Sequence, residues 1–139
     1  MSAVRAYAGF KPQRLRAFFE SSNAELPWQN SVLASVLNAP TFGAGMALAP
    51  DARIDDGLLD CAFLDELGIP RLLRLLPRLA LQGSIDLPGL KRQRVRKVRI
   101  ETETPAIFQG DGELIGLTPV EIEVVPGAVK FLAPKLRNG

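Results

Sequence analysis

The chain has 139 residues, with 17 basic against 15 acidic side chains, a single cysteine and no histidine. That length holds one domain with a real core and is too short for two of ordinary size, so residues 1–139 are expected to form a single domain. The missing imidazole excludes a Ser-His-Asp relay, a Cys-His pair and a His-ligated zinc site, and the lone Cys61 excludes an internal disulfide, which leaves acid-base work to Asp, Glu, Lys or Tyr. A reducing, cytoplasmic setting is expected. Residues 26–50 carry no charge, but Asn38, Pro40, Gly43 and Gly45 interrupt the run, so no membrane-spanning helix is expected there. Around Arg5 and Lys11 the chain lacks the unbroken apolar block of a signal peptide.

In chain order, Gln13 to Glu20 alternates Leu15, Ala17 and Phe19 with Arg14 and Arg16, the pattern of a half-buried strand, and "SSNAE" after it reads as a turn. "SVLASVL" from Ser31 to Leu37 predicts a return strand covered on both faces. "NAPTFGAGMALAP" is too apolar to float free and reads as an irregular loop packed on the body. "LLDCAFLDEL" from Leu58 predicts a strand, with Cys61 in the core. Pro70 opens and Gly83 closes a predicted helix whose leucines at 72, 75, 76 and 79 form one stripe and Arg71, Arg74 and Arg78 another, with Pro77 bending it. After a linker, "VRKVRIETE", "AIFQ", "VEIEVV" and "AVKFL" predict short strands about ten residues apart, the signature of an antiparallel sandwich or barrel. The expected fold is mainly β: an antiparallel β-sandwich with one helical excursion.

Three stretches invite chemistry. In "FQGDGELIG", Asp111-Gly112 suits a tight hairpin turn because both central positions need positive φ, while Asp111 and Glu113 would project carboxylates able to accept a proton. "PDARIDDGLLD" gathers Asp51, Asp55, Asp56 and Asp60 in a bend that is either a solvated acidic turn or a seat for a hard cation; it fails the calcium-loop pattern, with Asp56 where glycine and Ala62 where glutamate are required. "KRQRVRKVR" carries six cations from Lys91 to Arg99, which either blunt a strand edge or meet anionic phosphates; no aromatic residue for base stacking stands nearby, so nucleic acid is not expected. Neither a dinucleotide fingerprint nor a P-loop is present around Gly43 and Gly45 or around Gly110 and Gly112. Trp28, beside Pro27, reads as a packing residue.

Taken in order, "VLNAPTFGAGMALAPDA", "IDDGLLDCAFL", the helix closing at "LALQG", and "FQGDGELIG" running into "IEVVPGAVKFLAP" resemble the C-terminal domain of the bacterial diacylglycerol kinase and lipid kinase family, relatives of sphingosine kinases. The resemblance implies a β-sandwich with a helical excursion, packed against an N-terminal nucleotide-binding domain with the active site between them. It implies that Glu113 accepts the proton of a lipid hydroxyl with Asp111 in support, and that a structural Mg²⁺ sits on the Asp56 carboxylate and the backbone carbonyls of Arg53 and Leu58. The family's glycine-rich run is here Gly43, Ala44, Gly45, and its phosphate loop is not found in these 139 residues.

The expectation is therefore the substrate-side domain of an ATP-dependent kinase of diacylglycerol or a related lipid. It would be inactive without a nucleotide-binding domain to hold ATP, and would work in the cytoplasm and peripherally at the membrane. The alternative is a non-catalytic module that binds anionic membranes or a separate kinase partner through its basic surface. A homodimer is the further partner that an uncovered apolar face would favour.

Overall fold

The computed structural model describes residues 12–20, 24–41, 48–66 and 87–130. They form eight strands: β1 (Gln13–Phe19), β2 (Ala24–Leu37), β3 (Leu59–Asp65), β4 (Leu90–Val95), β5 (Lys97–Thr102), β6 (Ile107–Gly110), β7 (Glu113–Leu117) and β8 (Val120–Glu123). Every pairing is antiparallel, in a six-stranded sheet of order β4-β3-β2-β1-β5-β8 and a separate β6-β7 hairpin. The fold is mainly β and β-sandwich-like, as expected. The predicted helix from Pro70 to Gly83 lies outside the described residues.

Strand order and connectivity together force the main sheet to curl. β4 and β5 are joined through Arg96 alone, yet three strands separate them in the sheet. Across a flat sheet that step would be about 19 Å, at roughly 4.8 Å per strand. Two residue steps reach about 7 Å. The sheet must therefore roll until its β4 side meets its β5 side. Bulges help it do so: Pro27 and Trp28 of β2 stand against Arg16 of β1, and Val32 is extra against β3. Pro27 is tolerated because it falls in the bulge, where the ladder bond is already broken.

The inner face gathers Leu15, Ala17 and Phe19 of β1, Leu26 of β2, Leu59, Cys61 and Phe63 of β3, Val95 of β4, and Val98 and Ile100 of β5. Phe19 and Phe63 belong to non-adjacent strands, but their rings meet edge to face at 6.0 Å between centroids, across the interior of the curl. β3 is buried on its other face as well. Ala62 points away from Cys61 and Phe63 yet is fully buried, as Leu48, Ala49 and Ala52 of the 48–58 segment are buried. Arg92, the register partner of Ala62, donates from Nε to the Leu48 carbonyl at 2.7 Å and ties that segment to β4.

Several boundaries differ from the sequence expectation. β2 begins at Ala24, so the end of the predicted turn is strand; pairing with β1 holds a segment whose own alternation is poor. The presumed linker contains β4, a basic edge strand recruited by β3. β8 stops at Glu123, and Ala128 instead donates a turn bond to the Val125 carbonyl at 3.3 Å, so the described part of "AVKFL" is not a strand. Phe131 and Leu132 lie outside the described residues. Trp28 packs on the outer face rather than in the core.

Candidate active site

The stretch from Phe108 to Gly116 is a hairpin with a two-residue loop. Asp111 and Gly112 have φ of +50° and +86°, the pair of positive values that a primed type I turn requires, and Gly110 pairs with Glu113 across it. The base of the hairpin is fastened by Thr118, whose hydroxyl accepts from the Ala106 amide at 2.8 Å and contacts the Thr102 hydroxyl at the end of β5. Asp111 and Glu113 are both exposed at the tip. Among the described residues, neither carboxylate has an ion-pair or hydrogen-bond partner. Around them Ile107, Leu114, Ile115 and Leu117 are also exposed, Leu114 at 67%. A two-stranded hairpin this apolar and this uncovered is the kind of surface that another body completes.

The acidic bend is organised differently. The Asp56 carboxylate accepts the Leu58 amide at 2.9 Å, closing the bend on itself, and its other oxygen meets the Arg94 guanidinium from β4. Arg94 also approaches Asp60, with Nε 3.4 Å from Oδ1. Arg53 pairs with Asp55 at 3.1 Å, which holds the Asp55 carboxyl below its ordinary range. Asp60 is buried at 8% exposure, and its Oδ2 has no hydrogen-bond donor. Burial raises its carboxyl above the ordinary value; Arg94 pulls it down, and Asp56 and Asp51 add to the rise.

These groups suit a hard cation in kind. The donors are all carboxylate or carbonyl oxygens, four acids face two arginines, and one buried carboxylate oxygen lacks a partner. No cluster of three or more acidic or cysteine side chains with metal-holding geometry occurs among the described residues, so a cation here would depend on backbone carbonyls such as those of Arg53 and Leu58. No hydrogen bond or ion pair among the described residues joins the bend to the carboxylates of the hairpin tip.

Most of the basic stretch is neutralised in place. Lys91 pairs with Asp65 at 3.2 Å, Arg94 with Asp56, Lys97 with Glu121 at 2.8 Å and Arg99 with Glu101 at 2.9 Å. Sequence reading found the cations and the acids but not their pairing: Lys91–Asp65 and Lys97–Glu121 meet across strand ladders, Arg94–Asp56 joins β4 to the bend, and Arg99–Glu101 stands along β5. It also missed an outer-face cluster in which Arg16 lies 4.9 Å from the ring centroids of both Phe18 and Trp28 and bonds Glu101 at 2.6 Å. The signal was there: Arg14, Arg16 and Phe18 share the outward parity of β1. No helix among the described residues is long and apolar enough to cross a membrane.

The family model described as "YegS C-terminal NAD kinase beta sandwich-like domain" matches residues 1–133. A diacylglycerol kinase of Mycobacterium tuberculosis strain H37Rv is 30% identical over 103 residues, which cover 74% of this chain and 33% of that protein. A probable lipid kinase YegS-like protein of Alcanivorax borkumensis is 32% identical over 114 residues, covering 80% and 38%. The crystal structure of a putative diacylglycerol kinase from Bacillus anthracis superposes with a TM-score of 0.69 at 21% identity, over 89% of this chain and 42% of that one, a likeness of fold. The chain thus spans between a third and two-fifths of the length of these relatives.

Proposed function

This chain belongs to the YegS C-terminal NAD kinase beta sandwich-like domain family, and from that premise we propose that it is the substrate-side domain of an ATP-dependent kinase of diacylglycerol or a related lipid. Glu113 is the proton acceptor. As the lipid hydroxyl oxygen attacks the γ-phosphorus of ATP and ADP leaves, the hydroxyl proton passes to the Glu113 carboxylate, with Asp111 at the same turn in support. The observation that carries this reading is an exposed Glu113 carboxylate without an ion-pair partner among the described residues, set beside a two-residue turn and among exposed apolar side chains. The apolar rim suits acyl chains or the wall of an adjoining nucleotide-binding domain, which would hold ATP. A lipid substrate places the enzyme peripherally at a membrane, on the cytoplasmic side where ATP is available.

The Asp56 carboxylate with the carbonyls of Arg53 and Leu58 is the proposed seat of a structural Mg²⁺. When bound, that ion would supply a fixed positive charge that braces the bend. The Mg²⁺ accompanying ATP belongs with the nucleotide. An anionic-membrane module working through "KRQRVRKVR" is less well supported, since four of its six cations already sit in ion pairs.

The test is Glu113→Gln in a two-domain enzyme carrying this chain. Phosphoryl transfer to a lipid is expected to fall by at least about 100-fold with the circular dichroism spectrum unchanged. Normal turnover would remove Glu113 from the mechanism.

A further inference from the structure

One guanidinium in the acidic bend serves two carboxylates at once. Arg94 stands directly across the β3-β4 ladder from Asp60, so the register of two paired strands fixes their approach, and the same side chain reaches Asp56 in the bend above. Arg53 is engaged by Asp55. One guanidinium therefore bridges Asp56 and Asp60, and the Oδ2 of Asp60 is buried without a donor. A polar oxygen in that state is rare in a folded protein and marks a place built for a further partner.

We infer that Arg94 is an internal cation occupying the seat of the divalent ion, and that Asp60 is that seat's second carboxylate. Resting on the Mg²⁺ reading above, the inference adds two residues to it: the ion must displace the Arg94 guanidinium, and in doing so it gains a buried oxygen that the guanidinium leaves unsatisfied. The exchange is chemically sensible. A guanidinium is planar and satisfies carboxylates along its edges, whereas a small divalent cation draws oxygen ligands from several directions. The bend would stay closed in either state, with Arg94 holding it while metal is scarce.

The experiment measures Mn²⁺ binding to this chain by water-proton relaxation and Mg²⁺ binding by calorimetry, with circular dichroism as the folding control. Arg94→Gln is expected to tighten Mn²⁺ binding about tenfold, and Asp60→Asn to weaken it about tenfold in both the wild-type and the Arg94→Gln backgrounds. Arg94→Lys keeps the charge but gives up the fork, and should fall between wild type and Arg94→Gln; it also serves if the glutamine variant does not fold. Asp56→Asn should abolish binding. Binding that is lost in Asp56→Asn but indifferent to both Arg94 and Asp60 overturns this inference and leaves the metal reading standing. Absence of binding in wild type and in every Arg94 variant overturns both.

Discussion

Cys61 illustrates how completely position decides the chemistry of a side chain. It has no exposed surface, and burial first, then the neighbouring Asp60 charge, pushes its thiol from an ordinary 9.0 up to about 12. A thiol is nucleophilic only as thiolate, so Cys61 is inert in the native protein. Thiol reagent at pH 8 is expected to leave the folded chain unlabelled and to modify one thiol per chain after unfolding in denaturant; native labelling at the rate of a free thiol would contradict the burial. Because the folded-state value is raised, the associated stability is intact below pH 9 and is lost as pH rises towards about 12. Glu113 is the opposite case, exposed at a turn without an ion-pair partner among the described residues. Residue type pointed correctly to a core cysteine and an exposed acidic turn, since apolar context and Asp-Gly are local signals. It could not show that Asp56 is held by Arg94, since that depends on a residue 38 positions away.

Among the elements, the β6-β7 hairpin depends most on one conformational requirement. Gly112 has φ of +86° with nothing within 4 Å of where a Cβ would lie, so Gly112→Ala tests backbone strain free of any clash. A cost of about 1–2 kcal/mol is expected. It should appear as faster amide hydrogen exchange in β6 and β7, with protection of β1, β3 and β5 unchanged. Gly116, with the same open surroundings and no positive φ, is the control, and Gly116→Ala should be close to neutral. β2 and β4 show the limit of reading elements from pattern. The first half of β2 contains Glu25, Pro27 and Gln29, and half of β4 is basic; neither carries a strand signature of its own. Each becomes a strand because a neighbour with a strong apolar pattern, β1 or β3, offers it a ladder.

At the scale of the whole molecule, the curl of the sheet is what makes a core. Phe63 is 1% exposed and meets Phe19 across the interior, linking strands that are not neighbours in the sheet. Phe63→Ala is expected to cost about 3–5 kcal/mol, from lost burial and the cavity left behind. Denaturant titration should show a lower midpoint, and a loss under about 1 kcal/mol would mean that the two sides of the curl do not depend on each other there. Such a loss would take a large share of a stability that for domains in general is about 5–15 kcal/mol.

What the sequence by itself determined is local: the exclusion of imidazole chemistry, the Asp111-Gly112 turn that puts Glu113 at a hairpin tip, the alternation of β1 and the apolar run of β3. These follow from side-chain type and from spacing along a few residues, where covalent connection does the positioning. Only the tertiary structure decided that the sheet rolls up, that a basic segment forms its edge, and that Arg94 bridges Asp56 and Asp60 while no cation pairs with Glu113 among the described residues. Strand register is a contact between distant parts of the chain, settled by which packing buries the shared apolar face, and no short window of sequence contains both partners.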